Sequence, residues 1–373
     1  MTRRLKIKVA IGLWLILAVV AGTQAQSGRL RDQTSRPRVQ GGATQDDDTL
    51  RIRVEEVLLP VSVRNQLGKL PSDLKRTDFI VTEDGSRRDV NAVMRTPANI
   101  LFVIDASAQS TIKNINANRE LALEMIGALA DEDHAAIISY SDRVDLLCGW
   151  TTNKKQLRDA LNWKFKPGLE ADLYNALMYA ADEVLSKVNG RRSIVLISDG
   201  VDSFEKPVPE GMTLMFEKAL AALHRARATV YVASQNEILM QDLKPLAFNA
   251  LSWYERLDPQ QRKRVDRYRR YYRQLEAAEI SLKGLAEETG GVMWSAGAKE
   301  EFLKLNGRII NEIGTECIIA YSSERQPDDT SFHAIKVYGT RPDITIRFRR
   351  GIYANSYQKT TAMVWPQQEL PGF

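Results

Sequence analysis

From Ala98 to about residue 315, short apolar runs and helical stretches take turns along the chain. NILFVID (99–105), HAAIISYS (134–141), RSIVLISD (192–199), ATVYVAS (228–234) and GVMWSA (291–296) are near-continuous apolar runs with polar borders, the pattern of strands covered on both faces. Helical spacing of apolar positions fills the gaps, near 113–130, 153–163, 172–188, 212–226, 278–289 and 299–314. This alternation predicts an α/β fold built on a doubly wound, mostly parallel open sheet of Rossmann-like layout. RVDLLCGW follows HAAIISYS after a two-residue step, too short for a crossover helix, so that strand turns back antiparallel at an edge.

The flanking segments read as β structure without helices. LRIRVEEVLLPVSVRNQLGK and DFIVTEDGSRRDVNAVM lie within an N-terminal β segment, 49–96, with Asp84-Gly85 as a hairpin turn. ECIIAYSS (316–323), FHAIKVYG (332–339) and ITIRFRRGIYA (344–354) form a C-terminal segment, 316–354. A doubly wound unit built this way brings its two ends to one side. The β segments are therefore expected to combine into a small β-sandwich, with the α/β unit of residues 97–315 inserted between them. Residues 236–277 exceed an ordinary connection and read as a helical, basic insertion. In it Val265, Tyr268, Tyr272 and Leu275 recur at helical spacing, while Arg262, Lys263, Arg264, Arg267, Arg269, Arg270 and Arg273 fill the other faces.

Charge changes meaning once the first residues are set apart. Arg3, Arg4, Lys6 and Lys8, the 14-residue apolar run Val9–Gly22 and Thr23-Gln24-Ala25 read as an export signal over 1–25, with cleavage expected after Ala25. The run is short of the roughly 20 residues that span hydrocarbon, so an uncleaved anchor is the alternative. Without this segment 48 bases face 47 acids, a formal +1 in place of +5, and the basic character largely belongs to the signal. Between Tyr254 and Leu275 eight bases face three acids, so the remaining charge is concentrated in the insertion. Residues 26–48 hold almost nothing apolar and read as a disordered tether, and 355–373 as a mobile tail. Cys148 and Cys317 read as two buried thiols, with a single bridge as the alternative.

In an open parallel sheet, ligands gather at the carboxyl ends of the strands. There the sequence places Asp105-Ala106-Ser107-Ala108-Gln109-Ser110 and Asp199-Gly200, oxygen donors suited to a hard divalent cation. LFVIDASAQS, ISYSDRV, LYNALMYA, IVLISDGVDS and LKGLAEETGG, with the entry segment VEEVLLPVSVRNQLGKLPSDLKRTDFIVTEDG and the closing IRFRRGIYA, resemble the von Willebrand factor type A domain. Within that family they are similar to exported, VWFA-related bacterial proteins of the acidobacterial type. The resemblance implies a protein-binding, adhesion-type module with a metal-ion-dependent adhesion site for Mg2+ or Mn2+. Asp105, Ser107 and Asp199 match that site's motif, whereas Gln109 replaces a Ser and Ala171 the expected Thr. Alanine cannot ligate, so two readings stay open: a shell completed by water, Glu170 or Asp172, or acids that remain as hydrogen-bonded loop residues.

Enzymatic chemistry has little support. His134, His224 and His333 all lie away from the strand tops, and no phosphate-binding glycine loop or zinc cluster occurs. The expected function is recognition of a protein partner through the strand-top loops, with Gln109, Ser110, Glu170, Asp172 and Asp202 as contact residues. Arg267, Arg269 and Arg270 of the insertion offer an alternative surface, for an envelope scaffold subunit or contact with a membrane surface. Nucleic acid is not an expected partner of an exported chain.

Overall fold

A computed structural model describes residues 55–108, 115–204, 213–249, 251–325 and 329–353. The expected signal, tether and tail lie outside the described residues, as do Gln109 and Ser110.

Alternation of apolar and polar positions builds the first element. β1 (Glu55–Asn65) turns Val57, Leu59, Val61 and Val63 to one buried face. β2 (Phe79–Glu83) and β3 (Ser86–Arg88) form a hairpin, with Asp84 at φ 51° and Gly85 at φ 83°, the two positive values a tight two-residue turn requires. β4 (Val90–Met94) completes the N-terminal set. The chain returns to this region with β11 (Glu316–Ser323), β12 (Phe332–Gly339), β13 (Ile344–Phe348) and β14 (Gly351–Tyr353). The two sets interleave as antiparallel sheets of order β13-β1-β11-β4 and β14-β12-β2-β3. Val57, Leu59, Ile319 and Tyr321 from one sheet and Val81, Ile335, Val337 and Ile352 from the other share one core, the sandwich.

Between the two sets runs the six-stranded sheet β10-β9-β8-β5-β6-β7. Its members are β5 (Ala98–Asp105), β6 (His134–Tyr140), β7 (Val144–Thr151), β8 (Arg191–Ile197), β9 (Ala228–Ser234) and β10 (Met293–Ser295). All pairs are parallel except β6–β7, where β7 turns back at the edge. The period of two splits β5 between two cores. Leu101 and Val103 pack with α3 (Leu173–Tyr179), α4 (Leu214–Arg225) and α6 (Pro259–Thr289). Ile100, Phe102 and Ile104 pack with α1 (Ile115–Ala128), α2 (Lys154–Trp163), α7 (Lys299–Leu303) and α8 (Leu305–Ile313). Cys148 belongs to this second core and Cys317 to the sandwich core; both thiols are free.

Two elements depart from the sequence expectation. The helix expected at 172–188 is broken: α3 ends at Tyr179, a π turn covers Ala180–Val184 and a 3-10 turn Leu185–Lys187, and the Val184 carbonyl accepts the Trp150 indole N–H at 3.1 Å. The second departure is larger. The insertion's helix and the helix expected at 278–289 are one continuous 31-residue helix, α6, preceded by α5 (Asn236–Phe248). Asp258 caps it in a capping box, Pro259 occupies its first turn and Gly290 closes it at φ 83°.

The sandwich meets the base of the α/β unit through buried polar contacts. The Glu316 carboxylate accepts from Tyr231 Oη at 2.7 Å and Ser193 Oγ at 3.1 Å, and lies 3.8 Å from Arg191 Nη1. Glu312 accepts from Ser62 Oγ and Arg64 Nη1, each at 3.0 Å, and from Arg347. At the end of α6 a Cβ on Gly290 would stand 2.7 Å from Arg349 N, so only glycine allows this approach. Arg347 Nε donates to the Gly290 carbonyl, and the fully buried Arg349 donates to that of Ala228. Removing one buried charged partner strands the others. Glu316→Ala is therefore expected to cost about 3 kcal/mol or more, read in urea denaturation, whereas Glu324→Ala, at the exposed rim, should cost under about 1 kcal/mol.

Candidate functional site

β5 and β8 lie side by side at the point where strand order reverses, so the loops after them open a crevice at the carboxyl rim of the sheet. Asp105 and Asp199 meet there, as expected. Both are buried, at 0% and 1% exposure, together with Ser107. Asp105 Oδ1 accepts from Ser107 N at 2.8 Å and Ser107 Oγ at 2.7 Å, and Oδ2 from Ser198 Oγ at 3.4 Å. Ser198 Oγ lies 2.6 Å from Tyr140 Oη. A serine with one proton to give can serve Asp105 only if Tyr140 donates to it, so the relay runs from Tyr140 through Ser198 to Asp105.

Asp199 is held from a different part of the chain. Its Oδ1 accepts from Val201 N at 3.0 Å, and its Oδ2 from the phenol of Tyr271 at 2.8 Å. Tyr271 sits midway along α6 and is buried. Residues 271, 275, 278 and 282 fall at helical steps of four, three and four, so Tyr271, Leu275, Ala278 and Leu282 form one buried stripe. Gly200 at φ 76° lets that stripe close in, because a Cβ there would stand 2.6 Å from Leu282 Cγ and 3.2 Å from Ala278 Cβ.

The second loop is fixed by backbone. Gly168 bridges to Ser107, donating to the Ala106 carbonyl at 3.0 Å and accepting from Ala108 N at 2.8 Å. The Asp142 carboxylate takes the N–H groups of Leu169 and Glu170. Ala171 is buried and exchanges hydrogen bonds with Ser203 through its N–H and carbonyl, both 2.8 Å.

The described donor set departs from a full adhesion-site shell at two points. At Asp199 a phenolic O–H directs its proton to the carboxylate oxygen, and at Ala171 a buried methyl replaces a ligating hydroxyl. Among the described residues no group of three or more His, Cys, Asp or Glu side chains is placed to hold an ion. Asp105 and Asp199 are both hydrogen-bonded within their own loops.

The expected contact residues divide. Glu170 is exposed, and Asp172 is half-buried, accepting from Asn175 at 2.8 Å. Asp202 is buried, its oxygens taken by Tyr174 N at 3.2 Å and Phe204 N at 2.8 Å. Arg267 and Arg270 are exposed. Arg269 is instead a strut: it donates to the Ala247 carbonyl at 2.8 Å, stacks 4.7 Å from the Tyr254 ring and pairs with Asp266 at 3.6 Å.

Among the described residues no histidine stands at the rim. His134 begins β6 at the opposite end of the sheet. His224 is packed in α4 and pulled down to about 3 by burial and the Arg349 charge, and His333 lies in the sandwich between Asp84 at 2.6 Å and Asp329 at 2.9 Å. Burial pushes the Cys148 thiol up, and burial with the Glu316 charge pushes the Cys317 thiol up to about 12, so neither is a ready thiolate.

Burial, then the charges of Asp105 and Asp199, hold the phenols of Tyr140 and Tyr271 well above the usual tyrosine range. A raised folded-state value gives stability that is complete below about pH 10 and lost as pH climbs past it. Tyr271→Phe is expected to cost about 1.5–3 kcal/mol at neutral pH, the worth of a hydrogen bond to a charged group. Denaturation across alkaline pH should also show a shallower decline for the variant. An unchanged midpoint would mean that the phenol does not hold Asp199.

Residues 99–256 match the profile of the von Willebrand factor type A domain. No curated protein matches the chain. Proximal thread matrix protein 1 from the mussel byssus, with a zinc-occupied MIDAS motif, is similar at 13% identity and a TM-score of 0.39, over 61% of this chain and 48% of that one. The chain thus spans about half the length of that protein. An aerotolerance-related membrane protein from Bacteroides fragilis is 14% identical with a TM-score of 0.38, over 58% of this chain and 99% of that one. A mutant of the PilB minor pilin from Streptococcus sanguinis is 12% identical with a TM-score of 0.39, over 70% and 79%. Domains of the matched family are typically non-enzymatic binding modules, able to take a divalent metal where their adhesion motif is complete. The crevice of β5 and β8, with its paired acids, lies in the segment that matches the von Willebrand factor type A domain.

Proposed function

We propose that the chain is an exported, metal-independent protein-binding module, of the VWFA-related bacterial kind, that docks its partner on the loops at the carboxyl rim of the sheet. The observation that carries this reading is where large apolar side chains reach solvent. Among the described residues five such side chains are more than 60% exposed: Leu67 at 82%, Trp163 at 81%, Leu169 at 72%, Leu214 at 66% and Phe204 at 65%. Four of the five belong to the rim. Trp163 ends α2 just before the second loop, Leu169 lies in that loop, Phe204 follows the Asp199 loop and Leu214 opens α4. Exposed apolar groups clustered around one end of a sheet mark an interaction surface, and tryptophan is a frequent anchor in such surfaces.

Beneath this ring the acids are engaged by Ser107, Ser198 and Tyr271, so the crevice floor offers rigidity in place of a reaction centre. Glu170, exposed beside Leu169, adds negative charge to the contact surface.

The test is recovery of a partner from the native envelope fraction on immobilised protein, with and without chelator. Trp163→Ala together with Leu169→Asp is expected to weaken recovery by about thirtyfold or more, equivalent to about 2 kcal/mol, with no change in melting temperature. Chelator should have no effect. Recovery that survives both substitutions would reject the rim, and recovery abolished by chelator would reject metal independence.

A further inference from the structure

Exposed bases without an ion pair are scattered over the fold, Arg87, Arg308 and Lys336 among them, but those of α6 stand close together on one helix. Lys263, Arg264, Arg267, Arg270 and Arg273 are all exposed, and none makes an ion pair or hydrogen bond among the described residues. Of the nearby acids, Asp258 caps the helix and Asp266 takes Tyr254 Oη at 2.7 Å and Arg269 at 3.6 Å, while Glu276 is exposed just beyond Arg273.

Helical geometry sets these bases in line. Lys263, Arg267, Arg270 and Arg273 follow at steps of four, three and three, so they fall on one stripe of roughly 15 Å. Lys263, Arg270 and Arg273 lie on the side away from the buried Val265 and Leu275, and Arg267 borders the buried Tyr271 one turn on. The helix beneath it is fixed. Asp258 and Pro259 secure its start, Arg269 ties it to the end of α5, and Tyr271 locks its middle to Asp199.

A row of cations spread along a straight helix does not converge on one point, as the donors for a small anion must. It matches an extended sheet of negative charge, and guanidinium groups are well suited to phosphate. The basic and apolar segment Arg3–Gly22 is of the kind that directs a chain to a membrane, which makes a bilayer the polyanion nearest to hand. We propose that the exposed stripe Lys263, Arg267, Arg270 and Arg273 rests on an anionic phospholipid surface. This surface is separate from the apolar rim, and the proposal does not depend on the rim's binding a protein.

Flotation of the full chain with phosphatidylcholine vesicles, with and without phosphatidylglycerol, tests this at low and high salt. Binding is expected only when phosphatidylglycerol is present, with a decline at high salt. Arg267→Glu, Arg270→Glu and Arg273→Glu combined should lower the bound fraction at least about tenfold, at unchanged melting temperature. The same charge change made elsewhere, Arg87→Glu with Arg308→Glu and Lys336→Glu, should leave binding near that of the unsubstituted chain. Equal binding to pure phosphatidylcholine, equal loss in both triple variants, or no loss in the α6 variant would overturn the proposal. So would retention on immobilised duplex DNA or on an acidic protein column that the α6 variant loses while vesicles bind neither protein. Partner recovery through the rim, measured on the same variant, should persist, which separates failure of one surface from failure of the other.

Discussion

Two carboxylates shut away from water must be given hydrogen-bond donors, and the arrangement of this fold follows from where those donors come from. Asp105 is served locally, by the serine two residues on and by a relay from the neighbouring strands. Asp199 depends on a residue 72 positions away, Tyr271. That single phenol makes α6 part of the site. The requirement explains why Gly200 is left without a side chain and why Ala278 and Leu282 press against it.

The same helix carries the constraint to the opposite end of the molecule. α6 starts at the cap on Asp258, crosses the rim at Tyr271 and ends at Gly290, where the backbone of Arg349 comes within reach of a hypothetical Cβ. Arg347 and Arg350 then secure that end through the Gly290 carbonyl and Glu288. At about 1.5 Å per residue such a helix reaches some 45 Å, enough to tie the rim loops and the sandwich to one rod. Rim and sandwich are thereby held to a common frame.

Much of this was legible in the sequence. The five parallel strands, the antiparallel return of RVDLLCGW and the Asp84-Gly85 turn declare themselves through run length, step length and turn chemistry, all local properties. The meeting of Asp105 with Asp199 follows from strand ends in a parallel sheet. Tyr271 was harder to place. Taken up to residue 277, the insertion shows an apolar stripe of Val265, Tyr268, Tyr272 and Leu275 and looks like a module with its own small core. Only when the helix is carried through to Thr289 does the stripe of Tyr271, Leu275, Ala278 and Leu282 emerge, and no proline between 260 and 289 argues against carrying it through. The hydrogen bonds of Asp202 and Arg269 were illegible for a related reason. Charged side chains can be consumed by backbone N–H and carbonyl groups of other elements, and nothing in the spacing of residues reports that.

The interleaving of β1–β4 with β11–β14 has a consequence for how the protein is made. Every strand pair that joins the two sets, β1 with β11 and β2 with β12 among them, spans the whole α/β unit in sequence. On a ribosome, β1 and β2 emerge long before their partners exist, with their alternating apolar faces and unpaired edges open to solvent. The intervening unit has time to fold first, and it then delivers the late strands to the early ones. Closure of the sandwich thus comes after the α/β unit has been made, and a chain stalled before residue 316 would hold a formed six-stranded sheet beside β1, β4 and the β2–β3 hairpin, whose edges invite a chaperone or a neighbour.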